Sequence, residues 1–134
     1  MAESKFTQPA HTPHPNRADE CRDTTIERYR SALAVVKSLA TEHQECGLVF
    51  AARNLMAHDL DDLKAALRGD EDELNQASSD LDVVVALLMA ATCELAADDG
   101  NDGVCMGAAL TLARQAKQAI DEMIQILEAA EVAA

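Results

Sequence analysis

Apolar residues recur along this chain at intervals of three and four and rarely alternate, a pattern that predicts helices and no strands. The first helix is expected near Thr24, where "TTIE" offers a capping box with Thr24 as N-cap and Glu27 three residues on. Its inward positions read Ile26, Tyr29, Leu33, Val36, Ala40 and His43, widened by Ala32, Val35 and Leu39. His43, at the end of that stripe, reads as a satisfied interior histidine. A second stripe, Ala52, Met56, Leu60, Leu63 and Leu67, follows Gly47 and ends at Lys64, Arg68 and Gly69. Those two cations suit a helix C-terminus, and Gly69 suits the residue beyond it. One glycine does not decide between two helices broken at Cys46–Gly47 and a single kinked one.

The stretch "DEDELNQASSD" reads mainly as connector, with Ser79 and Asp82 resembling the next helix start. Leu81, Val84, Leu88, Ala91 and Leu95 then mark a third helix. Its "VVVALLMAA" run is apolar almost all round, so this helix is expected to be the most buried. The fourth helix, from about Gly103 to near Glu131, carries Ala109, Ala113, Ala116, Ile120, Met123 and Leu127 on one seam.

Between the last two helices lies "ELAADDGNDGVC", which has the composition of a calcium loop. An EF-hand needs oxygen ligands at loop positions 1, 3 and 5, glycine at 6 and glutamate at 12. Setting Gly103 at the glycine position leaves Gly100 at the third position and Ala109 at the twelfth. Two essential ligands are missing, so the stretch reads as a turn, with Gly100 closing one helix and Asp102 capping the next. No metal or cofactor is expected.

The composition adds an aliphatic core. Hydrophobic residues make up 49% of the 134, yet the aromatics are only Phe6, Phe50 and Tyr29. Residues 1–22 hold all three prolines and little that could pack, and so predict a disordered tail before a single helical domain over 23–134. His11 and His14 lie in that tail as H-x-x-H beside helix-breaking prolines. No apolar leader or membrane-length run is present, which implies a cytoplasmic protein. The four cysteines show no metal-ligand spacing and are expected to be free and mostly buried.

Charge changes the functional picture more. The net charge is −13, and residues 59–102 hold thirteen acids against Lys64 and Arg68. Such a surface is not expected to bind nucleic-acid phosphates or anionic membranes directly. It confers solubility and could steer a basic partner.

Nucleophile elbows, phosphate loops, dinucleotide fingerprints and zinc-protease motifs are absent, so no enzyme activity is expected. "FAARNLMAHDLDDL" resembles the H-box of histidine-kinase phosphoacceptor helices. The resemblance implies His58 as phosphoacceptor and Asp59 as the adjacent acid that assists it. It departs at Asp61, where that family carries arginine, and at Leu63, where it carries proline. The C-terminal half, "LLMAATCELAADDG" through "MGAALTLARQAKQAIDEMIQIL", resembles Ala-rich helical hairpins of small uncharacterised proteobacterial proteins. That resemblance implies a hairpin and no activity.

The expectation is an all-α, antiparallel four-helix bundle of two hairpins. Its expected role is as a small acidic interaction module, a regulator or inhibitor that binds another protein with a basic surface. Anti-activators, phage-type inhibitors and adaptors all belong to this class. Asp59, Asp61 and Asp62 are the expected partner-binding residues. Two alternatives stand beside it, phosphotransfer through His58 and a structural homodimer suggested by the length of the last helix.

Overall fold

The computed structural model describes residues 15–43, 46–98 and 100–133. Four helices account for nearly all of them: α1 (Pro15–Glu42), α2 (Gly47–Ala66), α3 (Glu71–Asp98) and α4 (Gly100–Ala133). The described residues contain no strand. Each helix packs on its neighbours in a closed ring, α1 on α2, α2 on α3, α3 on α4 and α4 on α1.

Contacts between opposite helix ends fix the directions. Arg17, near the start of α1, pairs with Glu122 late in α4, and His43, just past the end of α1, pairs with Asp102 at the start of α4. Arg22 Nε donates to the Leu67 carbonyl just past α2 at 2.9 Å, and the Cys46 thiol donates to Glu94 late in α3 at 2.8 Å. Ser78, early in α3, donates to Asp121, late in α4. Every neighbouring pair is therefore antiparallel, as expected.

The helix boundaries differ from the sequence expectation in ways the chain explains. α1 begins nine residues before Thr24, with Pro15 as its first residue, where a missing N–H and a fixed φ cost nothing. Cys21 and Thr25 extend the core stripe back by two turns, and the Thr25 hydroxyl satisfies itself on the Cys21 carbonyl at 2.7 Å. Thr24 is thus mid-helix rather than a cap. Residues 15–22 of the expected tail are helical, while residues 1–14, with His11 and His14, lie outside the described residues.

The α1–α2 connection is a true break. Cys46 is extended (φ −87°, ψ 101°), and Gly47 opens α2. At the far end of α2, no described glycine takes a positive φ, so Gly69 is not a left-handed cap. Two tight bonds close the helix instead, from Arg68 N–H to the Ala65 carbonyl and from Gly69 N–H to the Ala66 carbonyl.

"DEDELNQASSD" is helix, not connector. The Asp70 carboxylate accepts the Glu73 N–H at 3.0 Å, the N-cap bond that Ser79 was expected to initiate nine residues later. Glu71, Asp72 and Glu73 then fill the first turn, where the dipole favours acids. Leu74 and Ala77 continue the 3,4 stripe into Leu81 and Val84, all four buried. Gly100 likewise begins α4 instead of following α3, which places Asp102 inside the first turn.

The core is aliphatic and tight around α4. Ala109, Ala113 and Ala116 are fully buried, and their small side chains let α1 and α3 approach closely. The apolar run of α3 is not buried all round. A ring of four gives each helix one outward face, and α3 leaves Val83 and Met89 there. At ~1.5 Å per residue, α2 is ~30 Å long and α4 ~51 Å, and residues 128–132 of α4 are exposed. None of the described helices is long and apolar enough to cross a membrane.

Candidate functional site

The C-terminal half of α2 and the N-terminal half of α3 enclose a groove of about 270 Å³. Its floor is apolar, made by Tyr29 of α1, Leu63 and Ala66 of α2, and Ala77, Leu81 and Val84 of α3. Alanines at 66 and 77 leave the space that larger side chains would fill. The rim carries four carboxylates, Asp59 and Asp62 from α2 and Glu73 and Asp80 from α3. Among the described residues no lysine or arginine lines it.

Helical spacing explains the α2 wall. Asp59 and Asp62 are three residues apart and share a face, one turn above Leu63 and Ala66. Asp61 is exposed and lies outside the groove lining. The expected trio is therefore split, with two of its members meeting two acids of α3 that the connector reading hid. Two signals in the sequence could have exposed Glu73 and Asp80: the Asp70-x-x-Glu73 capping pattern and the stripe running unbroken from Leu74 to Leu95.

Asp59 holds an unusual position. Its side chain is only 20% exposed, yet its partner is the 81% exposed imidazole of His58, with Nδ1 3.3 Å from Oδ1. Asp80 accepts from Gln76 at 3.1 Å. Among the described residues, none of the four rim acids is paired with a lysine or arginine. Beneath them the buried Tyr29 hydroxyl donates to the Met56 carbonyl at 2.7 Å. Burial, then the charges of Asp59 and Asp80, push its pKa far up, so the phenol stays protonated.

Other polar clusters have local explanations. His43 Nε2 lies 2.5 Å from Asp102 Oδ2, joining the C-terminal end of α1 to the N-terminal end of α4. The Asp102 carboxylate suits the N-terminal end of its helix. With Glu42 these residues have ligand atoms within 4.8 Å of one another, as do His58, Asp59 and Asp62. Both groups mix one imidazole with two carboxylates, a donor set a divalent cation accepts.

Ser78, Lys117 and Asp121 form a triangle between α3 and α4. Ser78 donates to Asp121 at 2.6 Å, and Lys117 Nζ donates to Ser78 Oγ and to Asp121 at 2.8 Å each. A serine beside a lysine could serve nucleophilic chemistry if the amine were neutral. Here burial pulls the Lys117 pKa down, but Asp121 and Asp82 outweigh it, and the net shift is upward. A lysine held charged is no base for Ser78, and the triangle is an interhelical brace.

Cys21 and Cys46 are buried, and burial is the main force raising both thiol pKa values. Cys93 and Cys105 are exposed, so only half of the expected buried thiols are found. On the other side of α2, Arg22, Arg30, Lys64 and Arg68 line a second groove together with Asp23 and Glu27. Thus α2 separates an acidic groove from a mixed basic one.

Neither a family model, a curated protein nor a solved structure matches this chain.

Proposed function

We propose that this protein is a non-enzymatic interaction module that modulates another protein by docking it on the acidic face formed by α2 and α3. One observation carries this reading: Asp59 is mostly buried at the rim of an apolar groove, with no lysine or arginine partner among the described residues. Withdrawing a carboxylate from water is costly unless a cation or donors replace the solvent. A basic partner would supply that cation, and the excess of acid around the groove would steer it in. A regulator, inhibitor or adaptor in the bacterial or phage cytoplasm fits this mode of action.

The test is comparative capture from native lysate. Wild-type protein and a variant carrying Asp59→Lys, Asp62→Lys and Asp80→Lys are used as baits. The proposal expects a protein retained by the wild type and lost by the variant, with helical circular dichroism intact in both. Identical captures by the two baits would contradict it.

His58 supports a second reading, histidine phosphotransfer. Its imidazole is largely exposed, and Asp59 lies 3.3 Å from Nδ1, placed to orient the ring for attack by Nε2. The acids around it would repel a phosphoryl donor, which favours the docking reading. Incubation with a phosphodonor kinase decides between them: acid-labile phosphate lost in His58→Ala supports phosphotransfer.

A further inference from the structure

Resting on the interaction reading above, we infer that the α2–α3 groove receives one lysine or arginine side chain from an apolar segment of the partner, stem on the floor and cation at the rim. The groove has the two chemistries such a side chain requires, in the right order. Its floor is hydrocarbon, and its width comes from Ala66 and Ala77. Its rim bears carboxylates on both walls, Asp59 on α2 and Asp80 on α3 among them. After burial, both also raise the pKa of the Tyr29 phenol beneath.

Alternative occupants fit less well. A purely apolar side chain would cover the floor but remove more solvent from Asp59, which is already four-fifths buried. A compact cation with no stem would leave the hydrocarbon wet. Long basic side chains bury their methylenes while keeping the charged head among acceptors, and so satisfy both layers. The cavity of about 270 Å³ suits one such side chain and is too small for an aromatic cluster.

Hexylguanidinium is the direct probe, followed by backbone and methyl NMR on the intact chain. Hexanol and methylguanidinium serve as the apolar-only and charge-only controls. The inference predicts saturable shifts centred on Leu63, Ala77, Leu81 and Val84, with low-millimolar affinity set by ~10 non-hydrogen atoms. Both controls should bind at least about tenfold more weakly. Asp59→Asn and Asp80→Asn should each weaken the probe by about fivefold, whereas Asp61→Asn, outside the groove, should not. Ala77→Leu should abolish binding by filling the space, and the isosteric Asp80→Asn keeps the test valid if that variant is unstable.

Equal binding of hexanol, equal binding of methylguanidinium, non-saturable shifts or shifts scattered over the acidic surface would each overturn the inference. Failure here separates from failure of the interaction reading. A captured partner that depends on the α2–α3 acids, with no hexylguanidinium binding, overturns the side-chain inference alone. Groove-specific hexylguanidinium binding with no acid-dependent capture overturns the interaction reading, and with it the partner as donor, while the groove's selectivity for an alkyl cation stands.

Discussion

Gly103 of α4 lies so close to Ala96 of α3 that a Cβ on the glycine would fall 2.9 Å from the Ala96 Cα. A backbone atom cannot swing aside, so this contact sets the distance between the two helices near their turn. Gly103→Ala should therefore destabilise, the ~1–3 kcal/mol of overpacking exceeding the ~1 kcal/mol gained in helix propensity. Gly107→Ala provides the contrast. Its nearest neighbour would be Thr92 Cγ2 at 4.0 Å, so it should stabilise by ~0.5–1 kcal/mol. Thermal melts of the two variants should move in opposite directions.

The N-cap at Asp70 positions the α3 wall of the groove. Asp70→Ala removes the acceptor for the Glu73 N–H and should cost ~1 kcal/mol. Faster amide exchange confined to the first turns of α3 would locate the effect. Unchanged exchange there would return this segment to the status of a connector.

How much of this was legible in the sequence depended on which signal each residue gave. The seams of α2 and α4 were readable because Met56, Leu63, Ala113 and Ile120 are apolar at helical spacing and are buried as that spacing requires. The early turns of α1 were hidden because Cys21 is a single apolar residue among charged neighbours and Thr25 is polar, so no apolar stripe marks them. The start of α3 was hidden because acids at a helix N-terminus look like a solvated loop until the Asp70 cap is recognised. That second omission concealed half of the candidate site. Asp59 and Asp62 were visible as acids on a helix, but an opposing wall can be found only once Glu73 and Asp80 are placed on a helix of their own. Asp61 looked equivalent to its neighbours because a run of acids does not reveal which face each one takes.

The early turns of α1 should contribute measurable stability. A chain beginning at Thr24 loses the burial of Cys21, the Arg17–Glu122 pair and the bond from Arg22 to the Leu67 carbonyl. Its melting temperature should fall by several degrees relative to a chain beginning at Pro15, since ~1 kcal/mol shifts a domain of this size by ~3–6 °C. Equal melting temperatures would show that these turns add nothing.

Glu71 should make stability depend on pH. Hydrogen bonding with Glu131, then burial and the charges of Glu131 and Glu128, push its pKa up to about 7. An unfolded glutamate titrates near ~4.3, so between those values the folded chain holds a proton that the unfolded chain has released. This contribution is complete below the lower value and is lost as pH rises through the upper one. Glu71→Gln should flatten the decline in melting temperature between about pH 4 and pH 7. A decline of the same slope in the variant would assign it to other groups.

Docking of a basic partner on the acidic α2–α3 face is tested by association kinetics with the captured partner at several salt concentrations. Exposed charges are screened beyond ~10 Å at 0.1 M salt, so the association rate should fall steeply from low to moderate salt. The dissociation rate should change much less, being governed by contacts made after docking. Charge reversal at Asp59, Asp62 and Asp80 should slow association even at low salt, and His58→Ala should leave both rates unchanged. An association rate independent of salt and of these three acids would contradict the account and leave the charge of −13 with solubility as its role.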